Sequence, residues 1–243
     1  MSRSNPNDQN NPNPSVRWYE WNGEKGLVRY YDKDAKINVE CPEFTFLLLD
    51  QLGSVRGWHE SSQSGIYSNE VRDTRQDAIV VKAFKGGTLA EGIYKDIKDR
   101  VNSLGGSFTA NCYAAVKIDG ELKIASIRFK GAALGAWMEF TKANRSQIYK
   151  QAIKIASFTE GKKGRVIFRV PVFALTPLSE ATNQIALGLD AELQEWLSGY
   201  LKRTTTEKVA AVETAHHVSD EDVAQGMDEG YGPPDVTDDD IPF

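Results

Sequence analysis

The chain has 243 residues, 40% hydrophobic and 26% charged, which is enough apolar matter for a packed core and excludes wholesale disorder. Apolar runs such as Phe46-Leu47-Leu48-Leu49 fall far short of the ~20 residues of a membrane-spanning helix. The two cysteines, Cys41 and Cys112, are too few for a disulfide framework or a four-ligand zinc site.

The net charge of −5 conceals a division. Residues 207–243 hold eleven acids and one base, a net −10, which leaves 28 bases and 23 acids, or +5, on the remainder. A basic body with an acidic tail points to contact with nucleic acid or a membrane surface. With no apolar signal-like stretch in residues 1–14, the expected setting is a reducing cytoplasm, without a structural metal or other cofactor.

Residues 1–15, with five Asn and three Pro, read as a flexible arm. The body opens with a β-type run at 16–21, closed by Asn22-Gly23, then 26–31, a turn at Asp32-Lys33-Asp34, and 35–40, a three-strand meander. A buried strand is expected over 44–52, an ordered loop with a strand edge over 53–68, and another strand over 78–84. Thr88 reads as the N-cap of a helix carrying Leu89, Ile93, Ile97, Val101 and Leu104, stopped by Gly105-Gly106.

Strands at 107–118 and 121–129 flank Asp119-Gly120, the strongest hairpin signal in the chain. A short helix at 132–142 follows, then a hairpin of 148–158 and 165–174 around the loop 160–164. Ser179 opens a last helix to about residue 203, with Ile185, Leu189, Leu193, Trp196 and Leu197 as its apolar stripe. The expected fold is mainly β with helical insertions: a closed or half-closed antiparallel barrel over 16–203, followed by a disordered acidic tail over 204–243.

The tail ends Asp238-Asp239-Asp240-Ile241-Pro242-Phe243: an acidic cluster, two apolar anchors, and a proline that limits the conformations to be ordered on binding. A merely solubilising tail has no reason to finish on two hydrophobes. This ending resembles the C-terminal tip of bacterial single-stranded DNA-binding proteins, through which they recruit replication and repair enzymes. The body is too long for that family's single OB-fold. It is similar instead to the single-stranded DNA-binding proteins of tailed bacteriophages, including the stretch Ser64-Gly65-Ile66-Tyr67-Ser68-Asn69-Glu70-Val71. That resemblance implies an enlarged OB-fold followed by an acidic tail with a protein-interaction tip over 235–243, acting in phage DNA replication and recombination in the host cytoplasm.

Sequence-independent binding of single strands needs cations along the phosphate path and aromatic faces for base stacking. Tyr30, Tyr31, Trp58 and Tyr67 lie in polar or glycine-rich settings and are the expected stacking residues. Arg56, Arg72, Arg75, Lys82, Lys85, Arg128 and Lys130 are the expected phosphate contacts, with Lys162 and Lys163 as a second choice at a hairpin tip. Trp137, Phe140, Phe173 and Trp196 sit in apolar patterns and are expected in the core.

Nothing positive points to catalysis: there is no phosphate-binding glycine motif, and His59 beside Glu60 is too common a pairing to name a base. The three aspartates of the tip and His216-His217 lack the rigid frame that a metal site needs. The expected partners are single-stranded DNA and, through the tip, polymerases, helicases or nucleases; self-association is compatible with the pattern, and no membrane partner is expected. The alternative is a protein–protein adaptor of the same machinery without DNA binding of its own.

Overall fold

The computed structural model describes residues 12–206. Eleven strands form one mixed sheet with the path β3-β2-β1-β9-β8-β4-β5-β6-β7. In chain order these are β1 (Trp18–Asn22), β2 (Leu27–Asp32), β3 (Ile37–Cys41), β4 (Phe44–His59), β5 (Ser64–Ser68), β6 (Ile79–Ala83), β7 (Gly87–Gly92), β8 (Gly106–Ile118) and β9 (Glu121–Lys130). A hairpin of β10 (Ala152–Lys163) and β11 (Val166–Thr176) branches from the start of β4. Three α-helices complete the described chain: α1 (Tyr94–Ser103), α2 (Gly131–Ala143) and α3 (Glu180–Thr206).

The mainly β reading with helical insertions holds, but the sheet is open and mixed where the sequence predicted an antiparallel barrel. β1 runs parallel to β9, pairing Trp18 with Ser126 and Glu20 with Arg128. The two strands are far apart in sequence, so no tight turn dictates their direction. Closure is prevented at β4, whose edge away from β8 is shared by β10 at Phe44–Phe46, by Val71 at Gly53, and by β5 at Gly57–His59.

β4 is longer than the sequence suggested, running through Gly53 and Gly57 to His59. Gly57 is a strand residue because a Cβ there would collide with the carbonyl oxygen of Gly105, and Trp58 N–H donates to that same oxygen at 3.2 Å. The stretch 87–92 is strand β7, and the following helix starts at Tyr94, so Thr88 is not a cap. The Asp119-Gly120 hairpin is as expected, both residues having the positive φ (53° and 88°) of a type I′ turn. β10 and β11 run on to Lys163 and Val166, leaving a tight turn at Gly164-Arg165 in place of the longer loop.

Alternation divides the sheet into two faces. The main core lies on the face carrying Phe46, Val55, Ala110, Cys112, Ile127 and Phe129, and it is closed by Tyr94, Ile97 and Val101 of α1 and by Leu134, Trp137 and Met138 of α2. The opposite face is covered at one end by α3, whose Leu193, Trp196 and Leu197 bury Leu52, Tyr113 and Ile124. Ser179 caps α3, its Oγ accepting from Thr182 N–H at 3.2 Å; Ile185 is exposed, so the buried stripe begins at Ala186. Trp137 and Trp196 are buried, and Phe140 and Phe173 pack against the core.

The chain is fixed in place before Val16. Ser15 is buried and Asn13 donates to the Tyr113 hydroxyl at 3.3 Å, so residues 13–15 are held against the body. The rest of the arm, and the acidic segment 207–243 with its tip, lie outside the described residues.

Candidate nucleic-acid interface

The face opposite the main core carries most of the cations and aromatics of interest, because register brings them into rows. One row runs Leu52–Asn111–Arg128–Glu20–Arg29–Glu40 across β4, β8, β9, β1, β2 and β3. Beside it lie Ser54–Thr109–Lys130, then Arg56 opposite Ser107. On the other side, Tyr113 and Ser126 lead to Trp18. Farther along the same face, Tyr67 pairs with Lys82, and Lys82 with Thr88.

Of the four expected stacking residues, three share this face. Trp58 follows Arg56 by two residues at the end of β4 and is half-buried. Tyr67 is half-buried and stacks on Phe84, with ring centroids 4.6 Å apart. Tyr31 lies on this face in β2, and its neighbour Tyr30 does not. Adjacent residues of a strand point opposite ways, and Tyr30 turns to the core side, edge-on to Tyr19 at 5.5 Å with the Arg17 guanidinium 4.2 Å above its ring. Tyr30 is therefore a packing residue.

Trp18 and Phe84 are aromatics of this face that the sequence reading passed over. Both could have been found by alternation, since Trp18 must face away from buried Tyr19, and Phe84 away from buried Ala83. From β2 to β5 the face crosses five inter-strand gaps, or ~24 Å at the usual spacing.

Among the expected phosphate contacts, Arg56, Lys82, Arg128 and Lys130 lie on this face. Arg72 is held elsewhere: its two terminal nitrogens grip the buried Asp50 carboxylate at 3.0 and 2.7 Å, and Asp50 also accepts from Gln194 of α3 at 3.0 Å. Arg75 sits in a turn built on Asp73, whose Oδ1 accepts its backbone N–H at 2.9 Å. Lys85 is exposed just past β6, its backbone N–H donating to Ser64 Oγ at 3.0 Å. Lys162 lies in β10 beside Ile167 of β11, away from these rows.

Two carboxylates are set among the cations. Arg29 binds Glu20 through Nε at 2.8 Å and a terminal nitrogen at 2.7 Å. Burial pushes the Glu20 carboxyl up, but Arg128, Arg29 and Lys130 outweigh it and hold the group below the ordinary carboxylate value. Glu70, 4% exposed, accepts from Asn111 Nδ2 and, at 2.7 Å, from the Tyr113 hydroxyl, while its own backbone N–H donates to Tyr200 of α3 at 2.9 Å. Burial and then Glu70 push Tyr113 far above the ordinary phenol value, so it keeps its proton as the donor. Burial and the charge of Arg128 hold Arg56 below the ordinary guanidinium value, against the pull of Glu70. Register sets Arg56 on β4 and Arg128 on β9, on the same face with β8 between them.

No family model, curated protein or solved structure matches this chain. Among the described residues no helix is long and apolar enough to cross a membrane, and no three His, Cys, Asp or Glu side chains gather into a metal site.

Proposed function

We propose that the protein binds single-stranded DNA without reading its sequence, along the sheet face that carries Arg56, Arg128 and Lys130 between Trp18, Tyr31, Trp58 and Tyr67, with Lys82 just beyond Tyr67. The observation that carries this reading is the grouping of Arg56, Arg128 and Lys130, which register places on neighbouring rows of this one face. Like charges gathered on neighbouring rows of a half-buried face are unfavourable alone, and an anion set among them relieves the repulsion. Cations in the middle with aromatics to either side are what a strand offers partners for: phosphates between, bases splayed outward. The kinship of the body to an OB-fold, and its action in phage replication and recombination, belong to this proposal and rest on the sequence resemblance. So does the role of Asp238, Asp239, Asp240, Ile241, Pro242 and Phe243 in recruiting replication or repair enzymes to the coated strand.

Titrating the protein with oligo-dT is expected to quench its indole emission, because Trp18 and Trp58 both lie on the proposed path. Trp58→Ala is expected to remove part of the quench and to weaken binding by ~1–3 kcal/mol, the worth of one stacked base. Emission unchanged at saturating oligonucleotide would count against this face.

A further inference from the structure

Five buried polar side-chain atoms that have no hydrogen-bond partner among the described residues fall on one patch of this face: Ser54 Oγ, Thr109 Oγ1, Asn111 Oδ1, Arg56 Nε and Arg128 Nε. Their grouping follows from register. Ser54 is opposite Thr109, Asn111 is opposite Arg128, and Arg56 lies two residues beyond Ser54 on the same side of β4. Ser54, Thr109 and Asn111 are each 2% exposed or less. Buried polar groups in folded proteins are paired as a rule, so unpaired ones gathered in one place mark a missing partner.

The donors and acceptors say what that partner is. Two guanidinium Nε–H groups and two hydroxyls can all donate, and between them they suit a group that only accepts and carries negative charge. Asn111 Oδ1 can only accept; its amide is turned by Glu70, which takes Nδ2–H. Asn111, Glu70 and Glu20 therefore bound the seat and repel an anion, which places it toward Ser54, Thr109 and the two arginines. A structural explanation for this group of residues is weak, since an apolar pair at 54 and 109 would fill the same space with no unpaired hydroxyl.

Resting on the strand-binding reading, we infer that this patch is the anchor for one phosphodiester of the bound strand, bridged by Arg56 and Arg128 and seated on the hydroxyls of Thr109 and Ser54. The other phosphates meet only surface cations such as Lys130 and Lys82. Thr109 and Ser54 thereby become binding residues, although neither carries charge nor lies at the surface.

The test uses the full chain and its variants Thr109→Val, Arg128→Gln and Lys95→Gln, the last on α1 away from this face. Binding of oligo-dT is measured across a salt series, and thermal melting with and without inorganic phosphate. Thr109→Val removes a hydroxyl that lacks a partner in the free protein, so its melting temperature is expected to be unchanged or higher, while its affinity for oligo-dT falls about tenfold. Arg128→Gln is expected to reduce the log–log salt slope by ~0.7, and Lys95→Gln to bind like the parent chain.

Parent-like binding by both Thr109→Val and Arg128→Gln overturns the anchor and leaves the strand-binding reading standing. A parent chain that ignores oligo-dT defeats that reading itself. Should inorganic phosphate then raise the melting temperature of the parent and not of Thr109→Val, the phosphodiester assignment is overturned in favour of a free-phosphate seat.

Discussion

Trp137→Ala is expected to destabilise the fold by about 4 kcal/mol, near the middle of the range for truncating a buried tryptophan or phenylalanine. Trp137 is fully buried on α2, stacked on Phe129 at 5.1 Å and edge-on to Phe173 at 5.2 Å, with Phe46 at 5.9 Å. It thus joins β9, β11 and β4 through one side chain. Its indole N–H donates to Gln51 Oε1 at 2.6 Å, and without it that oxygen would keep only the weak Cys112 thiol donor at 3.8 Å. For a domain of this size the loss corresponds to a fall in melting temperature of ~8–16 °C.

Trp137→Phe separates the two causes, keeping most of the ring volume and losing the hydrogen bond, so its cost should be well under half as large. Differential scanning calorimetry reads both. The sheet face under α2 is the core side, so oligonucleotide binding well below the lowered transition should survive in each variant. A cost below 1 kcal/mol for the alanine variant would mean that the aromatic cluster does not hold these strands together.

Removing the charge of the acidic segment, by deleting residues 207–243 or by changing their Asp and Glu to Asn and Gln, is expected to tighten oligo-dT binding roughly tenfold at ~20 mM salt. The gain should shrink toward nothing above ~0.5 M, where the Debye length falls below ~5 Å. A segment of −10 is tethered to a body of +5. Its root is α3, which ends at Thr206, less than two turns past Tyr200; the Tyr200 hydroxyl takes the backbone N–H of Glu70, whose carboxylate accepts from Asn111, the register neighbour of Arg128. Carboxylates tethered to that root are expected to compete with the phosphates of a strand for the same arginines. The same affinity for parent and neutralised chains at every salt concentration would remove this competition from the account.

Local chemistry was readable wherever one short stretch decides the outcome. Asp119-Gly120 named its own hairpin, and Ser179 its own helix start. Three failures share one cause, which is that a residue was given its commonest local meaning when a distant neighbour had fixed it. Gly57 looked like loop punctuation, yet it is a strand glycine because Gly105, from the turn after α1, presses against it. Thr88 looked like a cap because Leu89 and Ile93 extend a helical spacing backwards, whereas pairing with β6 makes that stretch a strand. β1 was expected in an antiparallel set, and its neighbour β9 is a partner that no local pattern announces.

The candidate site divides in the same way. Its aromatics and surface cations are visible as residue types, and alternation alone could have separated Tyr30 from Tyr31. Arg72 could not have been set aside from sequence, since its partner Asp50 lies across a fold-dependent gap. Ser54, Thr109 and Asn111 carry no signal at all in the sequence. They become notable only when the register of β4, β8 and β9 places their unpaired atoms beside two arginines.

The most direct test of the central claim is fluorescence anisotropy of a labelled ~30-nucleotide oligo-dT across a salt series, against duplex of the same length, with the full chain and with residues 207–243 removed. The account predicts strong preference for the single strand and affinity that falls with salt at a log–log slope of ~−0.7 for each phosphate neutralised. No binding at low salt by either chain would contradict it, and would leave the protein as an adaptor whose acidic tip contacts protein alone.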